Sequence, residues 1–135
     1  MARTDLCSDD EVRALVHAFY AKVRRDAMLG PIFESHVHDW DSHLSRLTDF
    51  WSAVLRGTGR FTGAPMPRHV ALPGLNAELF QRWLALFHET TAAHPNQAMG
   101  QYADAMAERI AQSLWYGYQI SRRPDELPSA LAPHG

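Results

Sequence analysis

Four stretches of this chain place apolar residues three and four positions apart, which is the spacing that gives an α-helix one buried face. The clearest stretch contains Leu79, Phe80, Trp83, Leu84 and Phe87. Similar stripes run through residues 12–23, 44–55 and 99–118, and the chain lacks the alternation of apolar and polar residues typical of half-exposed strands. The sequence therefore predicts an all-α domain.

Capping residues and turn residues give approximate bounds to these helices. Ser8 and Glu11 form a capping-box pattern, and Asn76 and Asn96 are candidate N-caps. The predicted helices are Ser8 to about Arg25, residues 39–41 to Arg56, Asn76 to about Ala93, and Asn96 to about Ser121. Residues 1–123 are expected to form one domain, and residues 124–135 a flexible tail after Pro124.

The connection between the second and third helices is long for a compact helical domain. It carries Gly57, Gly59 and Gly63, followed by Pro65 and Pro67. Long loops of this kind are usually functional or mobile, and this one is too long for a plain up-and-down bundle. We therefore expect helices that cross at an angle around something held between them.

Charge and cysteine content exclude several classes of function. The formal net charge is −2 and the isoelectric point is near 6.4, so a nucleic-acid or membrane-surface partner is not expected. Apolar runs are far shorter than a membrane span, and the N-terminus lacks the apolar core of a signal peptide. The single cysteine, Cys7, fits a reducing compartment. These features predict a cytoplasmic protein.

Polar side chains interrupt the apolar faces of three predicted helices. Tyr20 lies on the first, His43 on the second and Trp83 on the third. A fourth candidate, His69, follows the two prolines of the long connection, in an apolar setting closed by Pro73. A histidine so placed beside an aromatic helix suits the axial position of a flat apolar cofactor. Taken singly, each of these residues could equally be a core or loop residue with a satisfied polar group.

Several motifs, in one order along the chain, resemble those of truncated haemoglobins of the third group. The matching residues are Phe19-Tyr20, Lys22-Val23-Arg24, Gly30-Pro31-Ile32-Phe33, Trp40-Asp41-Ser42-His43, Phe50-Trp51, His69 with Leu72-Pro73, and Phe80 with Arg82-Trp83-Leu84 and Leu86-Phe87. The resemblance covers about residues 10–120. The chain also lacks a Gly-Gly pair, which the first two groups usually carry.

This resemblance implies a truncated globin-like two-on-two helical sandwich around haem b (iron protoporphyrin IX). It makes His69 the proximal iron ligand, and Tyr20, His43 and Trp83 the distal, catalytic residues. Phe33 would pack against the haem. Arg46 and Arg68 are candidates for binding the haem propionates, although surface arginines are often simply solvated.

The implied function is binding of O2, NO, CO or peroxide at a five-coordinate haem iron with a polar distal pocket. Donors from Tyr20 and Trp83 at roughly 1–1.5 kcal/mol each would slow oxygen release by about 30- to 150-fold. That favours ligand trapping or redox chemistry, such as NO or peroxide detoxification with an external reductase, over simple oxygen delivery. NO dioxygenase, peroxidase, carrier and sensor stay open, as does direct binding of His43 to iron. The chain is expected to be a monomer or weak dimer.

The alternative is a haem-free helical protein, either a metal-binding bundle or an interaction module. A di-iron bundle requires Glu-x-x-His pairs on inward faces, but Glu108 precedes Ala111 and Glu78 precedes Gln81 at that spacing. An interaction module explains the aromatic residues as core but leaves the inward-facing His43 without a role. The visible spectrum separates the two classes, because a Soret band is expected for the haem protein and not for a haem-free one.

Overall fold

The computed structural model describes residues 6–57 and 75–131, and within these ranges the chain is entirely helical apart from turns and extended connections. The helices are α1 (Asp9–Arg25), α2 (Gly30–His36), α3 (Trp40–Arg56), α4 (Ala77–Ala93) and α5 (Gln97–Arg122). The prediction of an all-α domain is confirmed. The predicted bounds of α1, α3, α4 and α5 agree with the structure to within one or two residues.

Local capping explains why the helix starts could be predicted. The Ser8 side chain accepts a hydrogen bond from the Glu11 backbone N–H, and the Glu11 carboxylate accepts one from the Ser8 backbone N–H. The side chains of Asp39, Asn76 and Asn96 each accept from the backbone N–H three residues later. Each bond satisfies a donor that the helix itself leaves open, so these residues define where the helices begin.

The short helix α2 was not predicted. Its N-cap residue, Leu29, makes no side-chain capping bond, and Pro31 occupies the first turn. The turn before it is instead organised by Asp26, whose carboxylate accepts from the backbone N–H of Met28 and of Leu29 at 3.0 Å each. Seven residues are too few to show a helical periodicity in sequence.

The packing places α1 at the centre. It contacts α2, α3 and α4, while α5 packs on both α4 and α3. The fully buried rings of Phe19, Trp51 and Phe87 come from α1, α3 and α4 and form the centre of the core. The result is two pairs of helices, α1 with α3 and α4 with α5, as the truncated globin-like two-on-two sandwich requires.

The apolar residues of α3 divide between two faces, whereas the sequence suggested a single buried one. Trp51 and Leu55 are buried, together with the polar residues Thr48 and Ser52. The other apolar side chains of the helix are only partly covered: Leu44, Leu47, Phe50 and Val54. The difference arises because α1 covers only one side of α3.

The chain after α5 turns back along that helix. The Gln119 side chain exchanges hydrogen bonds with the backbone of Ser129, at 2.8 and 3.0 Å. The Leu131 backbone N–H donates to Gln112 at 3.1 Å, and the Leu131 side chain is buried. Residues 124–131 therefore contact α5, and the flexibility of the whole segment 124–135 stays a prediction.

Candidate functional site

The candidate crevice is the space between α3 and α4. No Cα atom of one helix approaches within 8 Å of the other, although both pack on α1, and both lie wholly within the described ranges. Their side chains meet where the Trp51 and Phe87 rings stack with centroids 5.0 Å apart. Partly covered apolar side chains lie on both helices, including Leu47 and Phe50 on α3 and Trp83 on α4.

Tyr20 brings a hydroxyl into the apolar interior from α1. The residue is only 4% exposed, and burial raises the pKa of its phenol to about 12, although a hydrogen bond with Trp83 opposes that rise. Because an indole N–H can only donate, Trp83 donates to the Tyr20 oxygen. The Tyr20 oxygen thus accepts one bond and its own proton remains available to donate, so α1 and α4 jointly position one neutral donor.

His43 and Phe33 complete the group around Tyr20. The Tyr20 ring centroid lies 6.2 Å from that of His43, on α3, and 5.8 Å from that of Phe33, on α2. Both pairs are nearly edge-to-face, a favourable arrangement of aromatic rings. Four of the predicted site residues, namely Tyr20, Phe33, His43 and Trp83, therefore lie together.

Of the remaining predicted site residues, only Arg46 is described by the structure, and it is exposed on α3. His69 and Arg68 lie outside the described residues, so their roles stay predictions. Among the described residues, no group of three or more His, Cys, Asp or Glu side chains is arranged to hold a metal ion.

Beside the group lie an arginine and a tryptophan that belong to the motifs of the family resemblance but were not predicted as site residues. The Arg24 guanidinium carbon lies 4.4 Å from the centre of the Trp40 ring, and Arg24 Nε donates to Glu34 at 3.0 Å. Trp40 in turn contacts His43, with ring centroids 5.5 Å apart. Arg24 and Trp40 are 16 positions apart on different helices, so no local spacing signals the pair.

The described residues fit a flat apolar group. The crevice offers partly covered aliphatic and aromatic side chains, and a neutral donor at Tyr20. On α5, the indole nitrogen of Trp115 is buried and has no hydrogen-bond partner within residues 6–57 and 75–131, and its ring lies 5.6 Å from Phe80 of α4. A buried donor without an acceptor is costly, and a polar substituent of a bound group would remove that cost.

Comparison with known proteins agrees with this geometry. The family model described as bacterial-like globin matches residues 5–114. A curated protein of Campylobacter jejuni, named Group 3 truncated hemoglobin ctb, is 33% identical over 118 residues, which cover 82% of this chain and 93% of that protein. The crystal structure of group III truncated hemoglobin from C. jejuni superposes with a TM-score of 0.75 at 32% identity, covering 80% of this chain and 88% of that one.

None of the described helices combines the length and apolar character that crossing a bilayer requires. The helical architecture, the grouped aromatic and histidine side chains, and the matches over most of both chains agree with one another. The chain belongs to the bacterial-like globin family, as a truncated haemoglobin of the third group.

Proposed function

We propose that this chain binds haem b, with His69 as the proximal ligand, and holds small ligands of the haem iron beside Tyr20. Membership of the globin family supports haem-based binding of small ligands in general. The single observation that carries the finer proposal is the buried, neutral hydroxyl of Tyr20, positioned by Trp83. When bound, haem supplies an iron with an open coordination position for diatomic ligands or peroxide.

Tyr20 would act as the donor to the ligand. Because its pKa is raised to about 12, the hydroxyl keeps its proton at every physiological pH. A ligand that acquires negative charge on binding gains most from a donor fixed in place before it arrives. Trp83 provides that fixation, since its N–H is engaged with the Tyr20 oxygen.

This geometry changes the expected strength of trapping. Two independent donors would give the 30- to 150-fold slower release expected from the sequence. With Trp83 engaged by Tyr20, one bond of roughly 1–1.5 kcal/mol slows release by about 5- to 13-fold. Trp83 then acts on the ligand through Tyr20.

His43 would act at the solvent side of the same space. Its ring is half-buried between Tyr20 and Trp40, where a titratable group can move a proton or obstruct access. Trapping combined with a proton donor favours turnover of NO or peroxide over oxygen delivery. Arg46 and Arg68 remain candidates for the haem propionates, and multiple turnovers require an external reductase.

The test is oxygen dissociation, measured by stopped flow on wild type, Tyr20→Phe and Trp83→Phe, with peroxide reaction rates on the same proteins. We expect Tyr20→Phe to release oxygen about 5- to 13-fold faster, because it lacks the donor, and Trp83→Phe to show a smaller increase. The exposed Tyr116 provides a matched control, since Tyr116→Phe should leave both rates unchanged. Unchanged release in Tyr20→Phe would show that Tyr20 does not hold the ligand.

The proximal ligand is tested separately. His69→Ala should abolish stoichiometric haem retention, seen as loss of the Soret band after gel filtration. His88→Ala is a control, because His88 pairs with Asp104 at 2.8 Å at the α4–α5 surface. Full haem occupancy in His69→Ala would identify a different ligand.

A further inference from the structure

Arg24, Trp40 and His43 form a series of contacts that leads from the surface to Tyr20. Arg24, at the end of α1, is exposed and lies over the face of Trp40, and Glu34 of α2 holds its guanidinium. Trp40 and His43 are half-buried, and Tyr20 behind them is buried. Burial thus increases stepwise from Arg24 through Trp40 and His43 to the Tyr20 hydroxyl.

Trp40 is held by contacts with its ring. Among the described residues, its indole nitrogen is buried and finds no hydrogen-bond partner. The ring stacks near Phe33 with centroids 6.4 Å apart and an interplanar angle of 29°. A ring without a directional bond moves more easily than a hydrogen-bonded one, so the contacts with Arg24 and Phe33 determine where it stays.

His43 meets the indole edge-on. The two ring planes are 89° apart with centroids at 5.5 Å, and the Tyr20 ring lies 6.2 Å away from the same imidazole. A shift of the indole would therefore remove one aromatic neighbour of His43. The imidazole could then leave its position beside Tyr20.

We infer that Trp40, clamped by Arg24 and Glu34, is a positioning residue that keeps His43 across the path of ligands into the pocket. This inference rests on the proposed function, because it assigns the control of access to the same pocket. Releasing the clamp increases the share of molecules in which His43 has moved aside. Ligands then reach the pocket faster.

The expected size of the effect follows from the exposure of the cation. The Arg24 side chain is 43% exposed, and cation–π contacts at exposed sites are worth roughly 0.5–1 kcal/mol, which corresponds to about a 2- to 5-fold change in a population. The exposed ion pair with Glu34 adds little energy of its own, but it fixes the direction of the guanidinium.

The first experiment is CO rebinding to the ferrous holoprotein after flash photolysis. Arg24→Gln should associate with CO about 2- to 5-fold faster than wild type. Arg25→Gln is the matched control, because Arg25 is an exposed neighbour in the same last turn of α1, and its rate should equal that of wild type. Arg24→Lys keeps a cation over the ring and should restore most of the wild-type rate.

A double-mutant cycle separates positioning from general loosening of the fold. In a His43→Leu background the imidazole is absent, so Arg24→Gln should no longer change the CO association rate. If Arg24→Gln accelerated association equally in both backgrounds, the effect would not pass through His43. That result would overturn the inference.

The second readout does not depend on ligand binding. The Trp40 indole N–H should give a slowly exchanging signal in the ¹H–¹⁵N spectrum of the CO form, assigned with Trp40→Phe, and Arg24→Gln should increase its exchange with water. Unchanged exchange together with an unchanged CO rate would overturn the inference while leaving haem binding intact. Failure of the wild type to retain haem would instead contradict the proposed function, so the two failures are distinguishable.

Discussion

The two faces of α3 carry similar apolar residues but meet different surroundings. On one face, Trp51 and Leu55 are sealed by α1 and by the Phe87 ring of α4. On the other, Leu47, Phe50 and Val54 remain partly covered. The first face is buried by the described residues, whereas the second is only partly covered and borders the candidate crevice, where we propose that haem binds. Partly covered apolar surface beside a buried core is typical of a binding surface, which supports that proposal.

The largest expected effect on stability comes from removing the Trp51 ring from the buried face of α3. Trp51→Ala should lower the free energy of unfolding of the haem-free protein by about 3–5 kcal/mol, because Trp51 is almost fully buried between α1 and α4. Urea unfolding followed by circular dichroism measures this. Leu127→Ala, at a side chain that is 96% exposed, should have no effect. A loss below about 1 kcal/mol would show that the core face is not sealed as described.

Tyr20 lies on α1 beside the candidate site, and its substitution should have an intermediate effect on stability. Tyr20→Phe leaves the Trp83 N–H without its acceptor, at a cost of about 1–3 kcal/mol at neutral pH. Burial raises the pKa of Tyr20 to about 12, above its value of 10.0 in the unfolded chain, so the folded state binds this proton more tightly. Stability therefore falls as pH rises from about 10 to about 12.

Alkaline titration of unfolding tests that sign. Tyr20→Phe should show a smaller loss of stability over this range than wild type, and Tyr116→Phe should behave as wild type. An identical alkaline loss in Tyr20→Phe would mean that other groups cause it.

Asp26 lies outside the candidate crevice and joins α1 to α4 through its hydrogen bond with Arg82. Burial disfavours its charged form, but hydrogen bonds from Arg82 at 2.7 Å and from two backbone N–H groups outweigh this and hold the pKa of Asp26 below its ordinary value. Its contribution is present above the unfolded pKa and is lost as the pH falls through the folded pKa. Asp26→Asn should lower stability at pH 7 by roughly 1 kcal/mol.

Acid unfolding measures this contribution. Asp26→Asn should lose less stability between pH 5 and pH 2 than wild type. Asp125→Asn is the control and should behave as wild type, because Asp125 is exposed. Equal acid sensitivity of all three proteins would contradict the assigned direction.

The smallest expected effect concerns the open face. Phe50→Ala should cost the haem-free protein less than about 1 kcal/mol, because the side chain is already partly exposed. The same substitution should accelerate haem loss to an apomyoglobin acceptor, since the haem would cover this ring. If the stability cost equalled that of Trp51→Ala, the two faces would not differ energetically.

The sequence was most informative where the determining interactions are local. Ser8, Asn76 and Asn96 cap helices through bonds to residues three positions away, so the helix starts were predictable. The helix α2 depends on Asp26, which lies outside it, and was missed. Which apolar residues of α3 are sealed depends on where α1 lies, and periodicity alone does not contain that information.

The candidate site shows the same limit. The individual residues Tyr20, His43 and Trp83 were selected by their placement on apolar faces and by the family resemblance. Their mutual arrangement was not predictable, because the interaction of Trp83 with Tyr20 joins α4 to α1, which are far apart in the sequence. The Arg24–Trp40 contact likewise depends on the crossing of α1 with α3.

The stacked rings of Trp51 and Phe87 also bear on how the protein matures. Flat, rigid rings stacked between α3 and α4 hold these helices apart where they meet, with or without a bound group. We therefore expect the polypeptide to fold first and to receive its prosthetic group afterwards. Binding of the prosthetic group would then be reversible, and a molecule that loses it could bind another without refolding.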